Sequence, residues 1–210
     1  MELKVLYEND DLLVIDKPAG VNADDFPKRV HRLDKDTSGV LIVAKNDKTL
    51  EFLQKQFKER RVEKKYIALI VGHLKTKQGI IETLIGRSPK DRRKQKVFLA
   101  GEPDSQGKRE AVTKYKVLKR LKNFDLVEIT PKTGRKHQIR CHFAYLGHPI
   151  VGDKMYGFKN QIFPEDLKRH FLHASYLKIK LPDGKEKEFQ SDLPEDLKKV
   201  FENLNEEKEE

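Results

Sequence analysis

His31-Arg32-Leu33-Asp34-Lys35-Asp36-Thr37-Ser38-Gly39 leads directly into Val40-Leu41-Ile42-Val43-Ala44. The first half is turn chemistry, because Asp, Thr, Ser and Gly bend the backbone through local hydrogen bonds and tolerance of positive φ. Gly39 to Ala44 is an apolar run of strand length. Working outward, Val5 to Tyr7 and Leu12 to Asp16 form a hairpin around Glu8-Asn9-Asp10-Asp11, closed by Lys17-Pro18-Ala19-Gly20. After the central run, Asn46-Asp47 caps a helix whose Leu50, Leu53 and Phe57 share one face, and Lys58, Arg60 and Arg61 suit its negative end. Strands are expected at Tyr66 to Val71, Val112 to Leu118, Phe124 to Thr130, Leu172 to Leu181 and Glu186 to Phe189. One helix follows Gly134 through Tyr145, and another covers Pro194 to Leu204 behind Ser191-Asp192. Pro89, Gly101, Pro103 and Gly107 break the pattern, so Gly86 to Arg109 reads as a mobile basic insertion with a short strand at Val97 to Leu99. The fold class is α+β, dominated by antiparallel strands, with two lobes around the Asp34 loop.

The 210 residues suit one catalytic-sized domain over 1–210, in two lobes sharing a sheet. Glu195 to Glu210 forms an acidic C-terminal helix and tail with seven acids and three bases. Outside it, 41 bases face 27 acids, a net +14 against +10 for the whole chain. Such a field draws phosphate backbones through counterion release. Cys141 is the single cysteine, which excludes an intrachain disulfide and fits a reducing compartment. The N-terminus has no signal-peptide core, and no apolar stretch reaches membrane-spanning length. A soluble, cytoplasmic protein with no membrane partner is expected.

Asp34 lies between Arg32 and Lys35, and neighbouring positive charge favours an ionised carboxylate. It can serve as a nucleophile or base, although a turn closed by a salt bridge has the same sequence chemistry. The second dense stretch is Thr133-Gly134-Arg135-Lys136-His137-Gln138-Ile139-Arg140-Cys141-His142. Opening a helix directly after a strand, it offers exposed amides and cationic side chains to an anion. Arg140, if buried, requires a carboxylate, and Asp34 is the partner expected for it. Tyr66 follows Lys64-Lys65 and is either a packing residue or a ring that stacks on an unpaired base. His137, His142, His148 and Cys141 match no zinc spacing, and no phosphate loop or dinucleotide fingerprint occurs. Ser38 near His31 lacks the nucleophile elbow of a hydrolase.

Ordered motifs across most of the chain resemble the RNA pseudouridine synthases of the RluA type. They are Leu12 to Gly20, His31 to Gly39, Lys64 to His73, Thr133 to His142 and Leu146-Gly147-His148-Pro149-Ile150-Val151-Gly152-Asp153-Lys154-Met155-Tyr156-Gly157. Leu172-His173-Ala174 with Leu177 also fits.

The resemblance implies the pseudouridine synthase fold, a mixed and mainly antiparallel sheet with a central active-site cleft. It makes Asp34 the catalytic aspartate, Tyr66 the residue stacking on the target uracil, and Arg140 the arginine paired with that aspartate. It also makes Arg32 the side chain that fills the gap left by the flipped nucleotide. Lys65, Arg135, His137, Arg92 and Arg93 are expected to hold RNA, the last two within a basic grip from Lys90 to Lys96. The implied reaction cleaves C1′–N1, rotates the uracil, rejoins it through C5 and loses the C5 proton, with no cofactor and no metal. The expected substrate is a stem-loop of ribosomal or transfer RNA, and the expected state is a monomer. Two departures from the family pattern stand out: a short segment from Gly20 to His31, and no S4-like domain before Leu3. The alternative is a non-catalytic RNA chaperone or ribosome assembly factor on the same fold.

Overall fold

A computed structural model describes residues 3–206 apart from 162 and 165. The acidic tail expected beyond 206 lies outside the described residues. The chain divides into two compact units, residues 1–66 with 172–194, and 67–171 with 195–210.

In the first unit β1 (Lys4–Glu8) and β2 (Leu12–Lys17) form the expected hairpin, and β2 pairs antiparallel with β3 (Ser38–Ala44). All seven β3 residues are buried. Both faces are covered, Val40, Ile42 and Ala44 in one apolar cluster and Leu41 with Ile15 and Ala23 in another, and along one edge β9 (Leu172–Lys180) runs parallel to β3 with Ser38 opposite His173. β10 (Glu186–Gln190) then pairs antiparallel with β9. α1 (Asp47–Lys58) is capped by Asn46, whose side chain accepts from Thr49 N at 2.8 Å. Its Leu53 joins Leu12, Val14, Val40, Ile42, Leu177, Ile179 and Phe189 in one core cluster.

β4 (Glu63–Val71) starts three residues before its expected beginning, and the chain passes from the first unit to the second between Tyr66 and Ile67. In the second unit β7 (Arg109–Arg120) lies between β8 (Phe124–Pro131) and β5 (Gln78–Arg87) in antiparallel register. β5 has no counterpart among the expected strands, although Ile81, Thr83 and Ile85 carry the alternating β-branched pattern.

Within the stretch Gly86 to Arg109, the short strand expected at Val97 to Leu99 begins two residues earlier and forms a hairpin with β5. β6 (Gln95–Phe98) pairs with Leu84–Arg87 of β5, and Ser88 N bonds Lys94 O at 3.0 Å across the tip. α2 (Gln138–Tyr145) begins later than expected, because His137 adopts a left-handed conformation (φ 53°) and Arg135 and Lys136 precede the helix. α3 (Glu195–Glu206) closes the described chain. Among the described residues no helix is long and apolar enough to cross a membrane.

Candidate active site

The Asp34 loop is anchored through its backbone. Lys17, with no exposed surface, donates from Nζ to the carbonyls of Pro18 (2.8 Å), Val21 (2.9 Å) and Lys35 (3.0 Å). Gly20 N adds a bond to Lys35 O at 3.0 Å, and Thr37 N bonds Asp34 O at 3.0 Å. The buried ammonium thus satisfies three carbonyls that a turn would otherwise leave without donors. Gly39 completes the anchor: its φ is +116°, and a Cβ there would strike the backbone of Ala174. Next to it, Ser38 Oγ meets His173 Nδ1 at 2.9 Å, and His173 Nε2 meets Ser191 O at 3.0 Å.

His31 packs flat on Phe57, centroids 4.8 Å apart, and its Nε2 accepts from Ile42 N at 3.3 Å. Burial, helped by the Lys64 charge, lowers its pKa to about 3. His31 is therefore a neutral pin between loop, strand and α1, and Ser38 has His173 as its partner. Arg32 is exposed, whereas Asp34 is half-buried. Burial pushes the Tyr66 phenol well above its ordinary value, and the negative charge of Asp34 adds to that. Tyr66 accordingly offers a ring and a protonated hydroxyl at neutral pH. Lys65 lies over the Tyr176 ring at 5.3 Å and 4.0 Å from Glu63.

The second unit carries Arg140 on α2. Its Nε donates to Asp153 Oδ2 at 2.6 Å and its Nη2 to Asp153 Oδ1 at 2.9 Å, with both side chains buried. Asp153 is thus a carboxylate of Arg140 that the sequence reasoning missed. The signal was available, since burial of Arg140 demanded a carboxylate and Asp153 sits in a quoted motif. Gln138 ties the start of α2 to β7, accepting from Thr133 Oγ1 (2.8 Å) and Arg135 N (2.9 Å) while donating to Val112 O (3.0 Å) and Thr113 Oγ1 (2.9 Å). His142 bridges Thr113 and Thr83 at 2.8 and 2.9 Å, and burial lowers its pKa to about 4.

The remaining cationic residues sit on the same unit. Arg135 donates from Nε to Glu110 O at 2.8 Å, and His137 Nδ1 meets the Tyr156 hydroxyl at 3.0 Å. Arg92 and Arg93 are exposed at the hairpin tip, where Arg93 folds back onto Asp91 at 3.0 Å. His148 Nδ1 meets Val71 O at 2.9 Å, so His137, His142 and His148 each have a different partner. Among the described residues no three His, Cys, Asp or Glu side chains gather as metal ligands. Asp34, Tyr66, Arg32 and Lys65 therefore share the first unit, and Arg140, Arg135, His137, Arg92 and Arg93 share the second.

Residues 21–145 match the sequence profile of the RNA pseudouridylate synthase family, a span that includes Asp34, Tyr66 and Arg140. The chain belongs to that family. It is 38% identical to the Bacillus subtilis "Uncharacterized RNA pseudouridine synthase YlyB" over 97% of this chain and 73% of the relative. It is 34% identical to the "Ribosomal large subunit pseudouridine synthase D" of Zymomonas mobilis, over 96% of this chain and 73% of that protein. The solved structure titled "Human RNA Pseudouridylate Synthase Domain Containing 1" superposes with a TM-score of 0.80 at 33% identity, covering 92% of this chain and 84% of the other. The family assignment makes the chain an enzyme, an isomerase that converts uridine to pseudouridine in RNA. Nothing favours the alternative of a non-catalytic RNA chaperone. The fold is that of its structural neighbours, an α+β pseudouridine synthase fold.

Proposed function

We propose that the enzyme isomerises a uridine in large-subunit ribosomal RNA, with Asp34 as the catalytic carboxylate. The observation that carries this reading is the Asp34 loop itself. A fully buried ammonium and a positive-φ glycine hold that carboxylate near the Tyr66 phenol. The names of several relatives support the choice of ribosomal RNA. A cytoplasmic location fits such a substrate.

The target uridine leaves its stack, Arg32 occupies the vacated space, and Tyr66 holds the face of the uracil. Asp34 then assists cleavage of C1′–N1, by attack on carbon or by taking a ribose proton. After rotation C5 of the base bonds to C1′ as Asp34 leaves that carbon or returns the ribose proton, and the C5 proton passes to water. Because its phenol is held protonated, Tyr66 serves as stacking platform and hydroxyl donor rather than as phenolate base. Arg140 orients the Asp34 carboxylate, a task for which a planar guanidinium fork suits better than an ammonium. Lys65, Arg135, His137, Arg92 and Arg93 contribute to the surface for phosphates.

The test is carbodiimide mapping of pseudouridine in total RNA from cells with the gene, without it, and with Asp34→Ala in its place. Loss of one large-subunit site in both altered strains is expected. A site that persists with Asp34→Ala overturns the catalytic assignment, and a lost site confined to transfer RNA overturns the substrate assignment.

A further inference from the structure

Val151-Gly152-Asp153-Lys154-Met155-Tyr156-Gly157 is a quoted motif to which the reaction as described gives no task. Its backbone is built around one carboxylate. Gly152 has φ +77°, and a Cβ there would strike the carbonyl of Arg169, so glycine is required for the turn that presents Asp153. Asp153 Oδ1 accepts from Met155 N at 2.9 Å and Tyr156 N at 3.0 Å while both carboxylate oxygens take the Arg140 fork. Burial opposes the charged form of Asp153, but the Arg140 hydrogen bonds and charge and the two backbone N–H groups outweigh it and hold the carboxyl below its ordinary value.

The same turn delivers Tyr156, whose ring centroid lies 5.2 Å from the Arg140 guanidinium carbon. The Tyr156 hydroxyl accepts from Gln95 N at 2.7 Å, at the start of β6, and meets His137 Nδ1 at 3.0 Å. Lys94, the residue before β6, places Nζ 6.0 Å from the same ring. One edge of the Arg140 guanidinium is thus held by a carboxylate, and the guanidinium lies by an aromatic ring that is latched to the base of the basic hairpin.

We propose that Asp153 and Tyr156 are positioning residues that fix the guanidinium of Arg140 and link it to the β5–β6 hairpin. A buried ion pair is a weak device for stability, because apolar replacements of such pairs are often as stable. Its value here is orientation: two parallel N–H···O bonds define the plane of the guanidinium. The link gives the hairpin a second task, since RNA seated on its tip bears on the same element that holds Arg140. This inference rests on the reading that Arg140 serves Asp34.

The test is single-turnover pseudouridine formation at saturating enzyme, with RNA affinity and thermal melting measured in parallel. Asp153→Asn keeps an acceptor at Oδ1 but sets an amide N–H against Arg140 Nε. The single-turnover rate should fall about 10- to 100-fold while RNA affinity stays within about twofold. Tyr156→Phe keeps the ring and removes the latch. Amide exchange at Gln95 should accelerate, and the rate should fall about 3- to 10-fold. A lowered melting temperature with wild-type rate per folded molecule in either variant overturns the inference and leaves the proposed function intact. Should Asp153→Asn not fold, Tyr156→Phe decides alone. Absence of product from the wild-type enzyme on ribosomal RNA removes the proposed function and this inference together.

Discussion

The loop bearing Asp34 and the start of the helix bearing Arg140 are anchored in different ways. The backbone of the Asp34 loop is held by Lys17 Nζ on three carbonyls, by Gly20 N on Lys35 O, and by the close approach of Gly39 to Ala174. Around Arg140 the contacts are between side chains, made by Asp153, Tyr156, Gln138 and His142 with two threonines. Backbone anchoring concentrates the risk to the fold on a glycine and a buried lysine. A side-chain network instead spreads risk along every member, because each lost partner leaves a buried polar group unsatisfied.

The sharpest break of that contrast is Gly39→Ala. Positive φ and the collision with Ala174 should cost at least about 3 kcal/mol, read as a large loss of folded yield or melting temperature. A wild-type melt would show that contact with β9 does not place the loop. Lys17→Met keeps the stem but strips three carbonyls of their donor. A loss of about 2 kcal/mol in urea unfolding is expected, with a slower single turnover. Unchanged stability would show that the ammonium is not the anchor.

On the helix side, His142 has a folded pKa of about 4 against an ordinary 6.5. A depressed folded value means the unfolded chain binds the proton first. Stability is therefore full above about 6.5 and lost as pH falls towards 4, amounting to about 2 kcal/mol at pH 5. His31, lowered to about 3, acts in the same direction from the other unit. His142→Gln should flatten the fall between pH 7 and pH 5 in a thermal-melt series, and an unaltered slope would dismiss His142 as its source. The smallest effect belongs to the hairpin tip. Arg92→Gln with Arg93→Gln should change stability by less than about 0.5 kcal/mol and reduce the salt slope of RNA binding by up to about two. An unchanged slope would exclude the tip from the RNA surface.

What the sequence made legible follows from the range of the contact. The first hairpin, β3 and α1 announce themselves through period and capping within ten residues, and the structure places them as read. Asp34 and Tyr66 stood out through their cationic neighbours in sequence, Arg32 and Lys35 for one and Lys64 and Lys65 for the other. β5 was missed because its partners lie some thirty residues on, at Arg109–Lys116, beyond the range of local pattern. Between 86 and 109 the Pro and Gly residues broke the pattern, yet the short strand expected at Val97 to Leu99 was legible and is β6. The late start of α2 depends on the left-handed His137, a conformation that sequence does not signal for that residue. For Arg140 the demand for a carboxylate was legible in the sequence, and Asp153 is a carboxylate partner, one of 34 acids in the chain, that the coordinates add.

The central claim is that the Asp34 carboxylate drives exchange of a glycosidic C–N bond for a C–C bond at uracil C5. Its most direct measurement is tritium release from ribosomal RNA carrying [5-³H]uridine, comparing the wild-type enzyme with Asp34→Ala under single-turnover conditions. The account predicts one tritium released per modified site by the wild type. It predicts release at least about a hundredfold slower from Asp34→Ala, with RNA binding retained. Tritium release by Asp34→Ala at the wild-type rate would contradict it.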